Sequence, residues 1–271
     1  MRRFGSLLGV LALGACTHGS WGRGGTSNEI VFGIEQSRLG VAAGYEFIGL
    51  AKHGGSAAVA FRDGDGRGRC WFERLDTRLG RPHVENGVAT WSGGSLPSEG
   101  LTVLANQPDL VRREGAAWTS DDTLFFYAEG FAMPPLEGVR MRAPLVQLAI
   151  GDVTPAPDAT TGALALDATS EVSVKWTPPV EDTRSRVMVA LTTDLAEVRC
   201  FDDAANGGAV IGNEWIARLL AASTKDDDAG AGVTGTMTVA SHRQTTLFAE
   251  GDWIVYVVAA HVHRDIAFTM R

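Results

Sequence analysis

The sequence has few cysteines, few lysines and no long apolar run. Three of its 271 residues are cysteines, and only Lys52, Lys175 and Lys225 are lysines. Beyond Cys16, this cysteine count allows at most one intramolecular disulfide. The mainly apolar run 4–13 is well short of the ~20 residues that a membrane-spanning helix needs, and it contains glycines. These shortages exclude a spanning helix at this run and a network of disulfides.

Positive charge is also in short supply. The chain carries 24 Lys and Arg against 32 Asp and Glu, for a formal net charge of −8, and its arginines are scattered. Nucleic acids and anionic lipid surfaces require clustered cations for binding. We therefore predict no nucleic-acid partner.

Signatures of catalysis and of cofactor binding are absent from the sequence. It contains no G-x-S-x-G, no P-loop and no dinucleotide fingerprint, and Gly93-Gly94-Ser95 leads into a loop limited by a proline instead of a helix. Neither Cys70 nor Cys200 has a histidine partner that the sequence reveals. The prediction is a protein that is not an enzyme, with no catalytic residue, no metal and no cofactor.

Short apolar segments separated by turn residues make up most of the chain. The 33 glycines and 10 prolines, together with a hydrophobic content of 45%, favour β-structure in a globular protein. We predict strands near 47–51, 57–62, 69–75, 87–92, 101–104, 123–128, 171–176, 187–192, 197–201, 235–241, 245–249, 253–263 and 266–270.

One helix is predicted after Asn213, which is a suitable N-cap. Trp215, Ile216, Leu219 and Leu220 form an apolar stripe at helical spacing. We expect this helix to cover the end or the face of a sheet.

The two halves of the chain resemble each other. Three pairs of segments match in the same order: 59–71 with 189–201, 87–91 with 235–239, and 123–125 with 246–248. The first pair aligns Arg69-Cys70-Trp71 with Arg199-Cys200-Phe201. Repeated order of this kind indicates two modules of one design.

We therefore predict a mainly β fold of two tandem β-sandwich-like modules, with one short helix in the second. Module 1 is assigned to 30–150 and module 2 to 171–271. The segment 151–170 between them is small, polar and contains prolines, which is typical of a linker.

The start of the chain has the three parts of a secretory signal peptide: Arg2 and Arg3, an apolar run, and a cleavage site with small residues. The last residues of this segment, Leu13-Gly14-Ala15-Cys16, resemble the lipobox of bacterial lipoproteins. The resemblance implies that 1–15 is removed and that Cys16 carries the lipid. An ordinary signal peptide with an incidental cysteine is the alternative.

The resemblance also implies a location. Inner-membrane retention in this family usually requires an aspartate after the cysteine, where this chain has Thr17. The expectation is an envelope protein anchored in the outer membrane through Cys16. Residues 16–29 are polar and rich in glycine, and they are interpreted as a flexible tether.

Most of the remaining chain resembles exported bacterial lipoproteins of uncharacterised function. The resemblance rests on Gly87–Gly94, on Ala128-Glu129-Gly130 followed by Pro134, on Val174-Lys175-Trp176-Thr177, and on Cys200 followed by Gly207-Gly208 and Leu219. It implies the modular architecture and no assigned activity.

Cys70 and Cys200 can pair or remain apart. Export to an oxidising compartment permits a disulfide. A bridge between them would close a loop of about 130 residues, which the chain-entropy model rates at roughly 4 to 5 kcal/mol. Two separate buried thiols are the alternative.

A metal site is the second interpretation of the C-terminal region. His261, His263 and Asp265 alternate, so an uninterrupted strand would place them on one face. A two-residue hairpin at Glu250-Gly251 would add His242 to that face. The alternative is a polar, solvent-facing side of an edge strand, and a register slip of one residue would move His242 to the other face.

Two further motifs have simple interpretations. Asp63-Gly64-Asp65-Gly66 resembles a calcium loop, but Arg67 and Arg74 occupy positions where ligands belong, so a hairpin turn is predicted. The run Asp226-Asp227-Asp228 is typical of a solvated surface.

The seven tryptophans allow either a glycan-binding platform or a place in the core, and the core is favoured for those within apolar strands. The function expected from the sequence is a binding or structural module displayed from the membrane, whose protein or glycan partner is open.

Overall fold

The computed structural model describes residues 28–38, 40–48, 70–75, 87–103, 111–130, 133–180, 184–224, 232–250 and 253–271. The predicted signal peptide, Cys16 and most of the tether lie outside these residues, as do the predicted turn at Asp63 and the acidic run at Asp226.

Strands dominate the described residues, and two short helices accompany them. The strands are β1 (Asn28–Ser37), β2 (Gly40–Ile48), β3 (Cys70–Arg74), β4 (Ala89–Gly93), β5 (Leu101–Val103), β6 (Val111–Arg113), β7 (Thr123–Ala128), β8 (Leu136–Arg142), β9 (Ile150–Thr154), β10 (Leu164–Leu166), β11 (Val172–Trp176), β12 (Arg186–Thr192), β13 (Ala196–Asp203), β14 (Gly208–Ile211), β15 (Val233–Ala249) and β16 (Trp253–Met270). A 3-10 turn covers Ala204–Asn206, and the helix α1 covers Asn213–Ser223.

The strands form one large sheet and two smaller ones. The large sheet has the order β3-β13-β12-β15-β16-β1-β2-β6, and β10 also pairs with β16. The smaller sheets are β5-β4-β7-β8 and β14-β11-β9. The hairpin of β15 and β16 is the centre of this arrangement, since its strands of 17 and 18 residues extend over both smaller sheets.

The first core lies between the large sheet and the sheet β5-β4-β7-β8. Inward-facing side chains of β1 and of the first half of β16 pack there against alternating residues of β4 and β7. Aromatic rings fill its centre: Phe126 lies 4.7 Å from Phe32 and 4.8 Å from Trp91, measured between ring centroids. We call this packing unit the first module.

The second core lies between the other end of the large sheet and the sheet β14-β11-β9. Its buried side chains are mainly aliphatic and come from Leu145 and Leu148 before β9, from β9 to β15, and from the last residues of β16. Ile216 and Leu219 of α1 complete it. We call this unit the second module.

The centre of the large sheet is buried on its other face as well. A third apolar cluster there consists entirely of residues of the large sheet: Val31, Met188, Ala190, Phe201, Ala240, Ile254, Tyr256, Val258, Ala260 and Val262. Burial on both faces explains why β1, β12 and the first half of β16 have nearly continuous apolar sequences instead of alternating ones.

The predicted class, a mainly β fold of sandwich-like modules with a short helix in the second, is confirmed. The helix begins one residue earlier than expected, because Asn213 is its first residue and Gly212 is the N-cap. Of the predicted stripe, Ile216 and Leu219 are buried, and Trp215 and Leu220 are half-buried.

Each core takes residues from both halves of the chain. The first contains alternate residues of β16, and Cys70 and Phe72 of β3 pack against the second. The residues of β16 in the first core are Trp253, Val255, Val257 and Ala259. The segment 151–170 is part of the fold instead of a linker, because β9 and β10 place Val153, Leu164 and Leu166 in the second core.

The matched segments of the two halves do not occupy equivalent positions throughout. The segments 87–91 and 123–125 lie on the neighbouring strands β4 and β7, whereas 235–239 and 246–248 lie on the single strand β15. Cys70 and Cys200 are neighbours in space, since they are paired residues of the adjacent strands β3 and β13.

Cys70 and Cys200 form a disulfide, with their Cα atoms 4.0 Å apart. The bond joins the edge strand β3 to β13 across a sequence separation of 130 residues. A loop of that length corresponds to roughly 4 to 5 kcal/mol in the chain-entropy model.

Candidate functional site

The three C-terminal histidines do not converge. Ala249 pairs with Trp253, so three residues instead of two connect β15 to β16, and His242 lies opposite Ala260 instead of Ala259. This shift of one residue turns His242 to the face of the large sheet that points away from both cores, which we call the outer face. There its ring lies 5.1 Å from that of Phe201, measured between ring centroids. The predicted placement of His242 beside His261 is therefore wrong.

A β-bulge then separates His263 from Asp265. Val239 pairs with Arg264 and Ala240 with Val262, so His263 is the extra residue on β16. Asp265 lies opposite Thr238 and accepts a 2.7 Å hydrogen bond from Thr238 Oγ1 on the outer face. Within the described residues, no group of three or more His, Cys, Asp or Glu side chains is placed to hold a metal ion.

Instead, His261 and His263 each take part in hydrogen bonds between the two cores, and their rings lie 4.8 Å apart, measured between centroids. We call this group of contacts the seam. Ser241 Oγ donates to the Leu145 carbonyl at 2.5 Å, and His263 Nε2 lies 3.0 Å from the same hydroxyl. Because the hydroxyl proton goes to Leu145, the serine oxygen accepts a hydrogen bond from His263 Nε2.

Gln36 completes the seam on β1. Its Nε2 donates to His261 Nδ1 and to the Trp118 carbonyl, both at 3.2 Å. Its Oε1 accepts from the backbone N–H groups of Ala117 and Trp118, at 2.5 and 2.9 Å. One buried amide therefore holds the backbone before β7 against the large sheet.

Burial keeps all three histidines neutral at physiological pH. It lowers the pKa of His261 to about 4, and burial together with the neighbouring His261 lowers the pKa of His263 to about 3. Burial, with a smaller contribution from the charge of Arg186, lowers the pKa of His242 to about 3.

The Ser241 and His263 pair resembles a nucleophile and its base, but it is not placed for catalysis. Ser241 is fully buried, and its proton is committed to a backbone carbonyl. We interpret the pair as a structural link between the modules.

A cleft opens beside the bulge, and sequence reasoning missed it. It has a volume of about 640 Å³ and is lined by 37–38 at the end of β1, by Leu148 and Ile150 at the start of β9, and by 262–265 of β16. Two arginines from distant parts of the sequence, Arg38 and Arg264, meet in this lining. No local pattern relates them, because the parallel pairing of β1 with β16 brings them together.

The tryptophans are core residues. Of the six within the described residues, Trp91, Trp118, Trp176 and Trp253 are buried, and Trp71 and Trp215 are half-buried. The exposed aromatic side chains there are Phe125, Tyr127 and Phe248. The glycan platform of exposed tryptophans therefore has no support in this part of the chain.

No helix in the described part of the chain is long and apolar enough to span a bilayer.

No protein-family model and no curated protein matches the chain. Among solved structures, it is similar to the FN1–FN3 domains of chicken CNTN1, with 10% identity and a TM-score of 0.25 over 89% of this chain and 63% of that one. It thus spans less than two thirds of the length of that fragment. A segment of two fibronectin type III domains from chicken tenascin matches at 10% identity and a TM-score of 0.20, over 87% of this chain and 94% of that one. Likenesses this weak carry no argument about function.

Proposed function

We propose that the chain is a lipid-anchored protein of the bacterial envelope whose two β-modules act as a binding or structural unit and not as an enzyme. The observation that carries this proposal is the order of features at the N-terminus: Arg2 and Arg3, the apolar run, and Leu13-Gly14-Ala15-Cys16. Acyl chains on Cys16 would anchor the protein, since each methylene buried in the membrane contributes about 0.8 kcal/mol to membrane binding. More than one acyl chain gives stable anchoring.

The disulfide supports export. Disulfides persist in oxidising compartments and are rare in the cytosol of most bacteria. The Cys70–Cys200 bond closes a long loop and connects β3 to the large sheet. A chain destined for the envelope can keep such a bond.

The cleft supports a binding role. A cavity of about 640 Å³ falls in the range of ~300 to 1,000 Å³ that is common for ligand sites. The cleft also combines apolar walls with a few charged groups, as binding sites commonly do.

Lipidation is tested by expressing the full chain in a Gram-negative host and comparing Cys16→Ala with the matched neutral variant Thr17→Ser. We expect wild type and Thr17→Ser in the membrane fraction, with an N-terminal peptide that begins at Cys16 and carries acyl chains by mass spectrometry. Cys16→Ala should lose both the acylation and the processing before Cys16. An unacylated wild-type N-terminus would refute the anchor.

The outer-membrane assignment has its own test. In the resembled family an aspartate after the lipidated cysteine retains the protein at the inner membrane, so Thr17→Asp should move the protein to that membrane in a density gradient. Wild type found at the inner membrane would overturn the assignment while leaving the lipid anchor intact.

A further inference from the structure

The large sheet contains a gap beside β16. On one side, β16 pairs with β15 along its whole length. On the other side, β1 pairs with it up to Gln36 opposite His261, and β10 pairs with it from Leu164 opposite Phe268. In the part of the chain that the structure describes, no strand pairs with 262–267 on that side.

This gap can accept an added strand. Six residues in extended conformation span about 20 Å, and roughly every second residue of an edge strand points its backbone N–H and C=O outward. The first four of these residues line the cleft, so open volume borders part of the edge where the pairing is missing. Leu148 and Ile150 contribute apolar side chains to the same lining.

The charges of the cleft select an acidic ligand. Arg38 and Arg264 are both exposed, and neither forms an ion pair with any described residue. Asp265, the carboxylate in the same lining, accepts a hydrogen bond from Thr238 on the outer face. Two free guanidinium groups at one cleft are notable in a chain with a formal charge of −8, and guanidinium binds carboxylate with matched geometry.

We propose that this gap is the docking site for an extended, acidic peptide segment of a partner protein. The segment pairs with the open edge of β16 between β1 and β10, and a carboxylate of the segment binds Arg38 and Arg264. Strand addition to an exposed sheet edge is a common mode of peptide recognition, in which main-chain hydrogen bonds give affinity and side-chain pockets give specificity. The inference rests on the proposed binding role and names what is bound.

The probe is a fluorescein-labelled peptide of about six residues, alternating Thr and Val around one central Glu, which matches the length of the gap. It is titrated against the full chain and followed by fluorescence anisotropy. A second peptide has Gln in place of Glu, and a third keeps Glu but carries N-methyl groups on alternate amides, which blocks strand pairing.

We expect the Glu peptide to bind about tenfold more tightly than the Gln peptide, as for the loss of one charge-assisted contact. The double variant Arg38→Ala/Arg264→Ala should remove that difference. The matched control is Arg140→Ala, which removes an exposed arginine of β8 outside the cleft and should change nothing. Amide hydrogen exchange within 262–267 should slow when the Glu peptide is bound, because new hydrogen bonds protect those amides.

Three results overturn the proposal: equal binding of the Glu and Gln peptides to wild type, no binding at about 1 mM peptide, or equal binding of the N-methylated peptide. The last result, together with displacement by inorganic phosphate or acetate, would show a small-anion site. The peptide comparisons on wild type decide the matter even where the double variant fails to fold. Acylation of Cys16 is measured separately, so the anchor and the docking site can fail independently.

Discussion

The two modules share the strands β15 and β16 but are stabilised by different means. The first closes over a cluster of aromatic rings and a sheet of four strands. The second closes over aliphatic side chains, a sheet of three strands, a helix and a disulfide. The second module therefore has one strand fewer in its covering sheet and, in addition, a helix and a covalent bond.

The shared hairpin makes the modules interdependent. β15 and β16 pass from one core to the other without interruption in their pairing, apart from the bulge at His263. Melting either core exposes apolar residues of the same two strands, so we expect a single cooperative unfolding transition. Two separate transitions would show that the modules are independent.

The largest effect is expected from removing the disulfide. Cys70→Ala/Cys200→Ala should cost about 4 to 5 kcal/mol, because the unfolded chain regains the freedom of a long loop. Thermal denaturation should show a drop of roughly 10 °C or more. Cys16→Ala is the control and should leave the melting temperature unchanged. An unchanged melting temperature in the double variant as well would mean that the disulfide contributes little to stability.

Phe126→Ala should cost nearly as much, about 4 kcal/mol, because it leaves a cavity among Phe32 and Trp91 in the first core. The neighbouring Phe125→Ala is the control. That side chain points outward and is 43% exposed, so its loss should cost under about 1 kcal/mol. Chemical denaturation measures both, and similar values would contradict the assigned faces of β7.

A smaller effect, about 2 to 3 kcal/mol, is expected from Gln36→Leu at the seam. The substitution keeps the size of the side chain but leaves the backbone N–H groups of Ala117 and Trp118 buried without an acceptor. The exposed residue Gln147 provides the control variant Gln147→Leu. Hydrogen exchange should show the Trp118 region opening first. Unchanged protection there would show that the Gln36 amide does not hold this backbone against the large sheet.

The last effect concerns pH and is the smallest at neutral pH, where His242 is neutral both in the folded and in the unfolded chain. The pKa of His242 is about 3 when folded, against an ordinary value of 6.5, so the unfolded chain binds more protons between these values. Stability is therefore complete above pH 6.5 and falls as the pH drops toward 3, because the unfolded chain binds one more proton at this histidine. His242→Phe should make the slope of unfolding free energy against pH shallower over this range, and parallel slopes would contradict the neutral buried state.

The sequence predicts segments better than it predicts their extent. Most predicted strands in the described residues exist, including β4, β7, β12 and β13. The sequence predicts two strands in place of each of β15 and β16, since polar residues interrupt them near Arg243 and Arg264. Those interruptions lie near the seam, where hydrogen bonds to Ser241 and Gln36 satisfy polar side chains within continuous strands.

Some strands gave no usable sequence signal. β1 is buried on both faces, so it lacks the alternation that identifies a half-buried strand. β9 and β10 are short and lie among small polar residues and prolines, so the sequence of 151–170 indicates a linker instead of two strands. Neither the sequence of β1 nor that of β9 and β10 indicates which distant strand each of them pairs with.

By itself, the sequence determined the mainly β class, a helix beginning within one residue of Asn213 and the pair of cysteines able to bridge, because these follow from composition and short spacing. The tertiary structure decided the pairing of β1 with β16, the face of His242 and the meeting of Arg38 with Arg264. The reason is physical: side chains alternate along a strand with a period of two, so one added loop residue or one bulge reassigns every side chain beyond it. Register depends on the packing of the whole sheet, which no local stretch of sequence encodes.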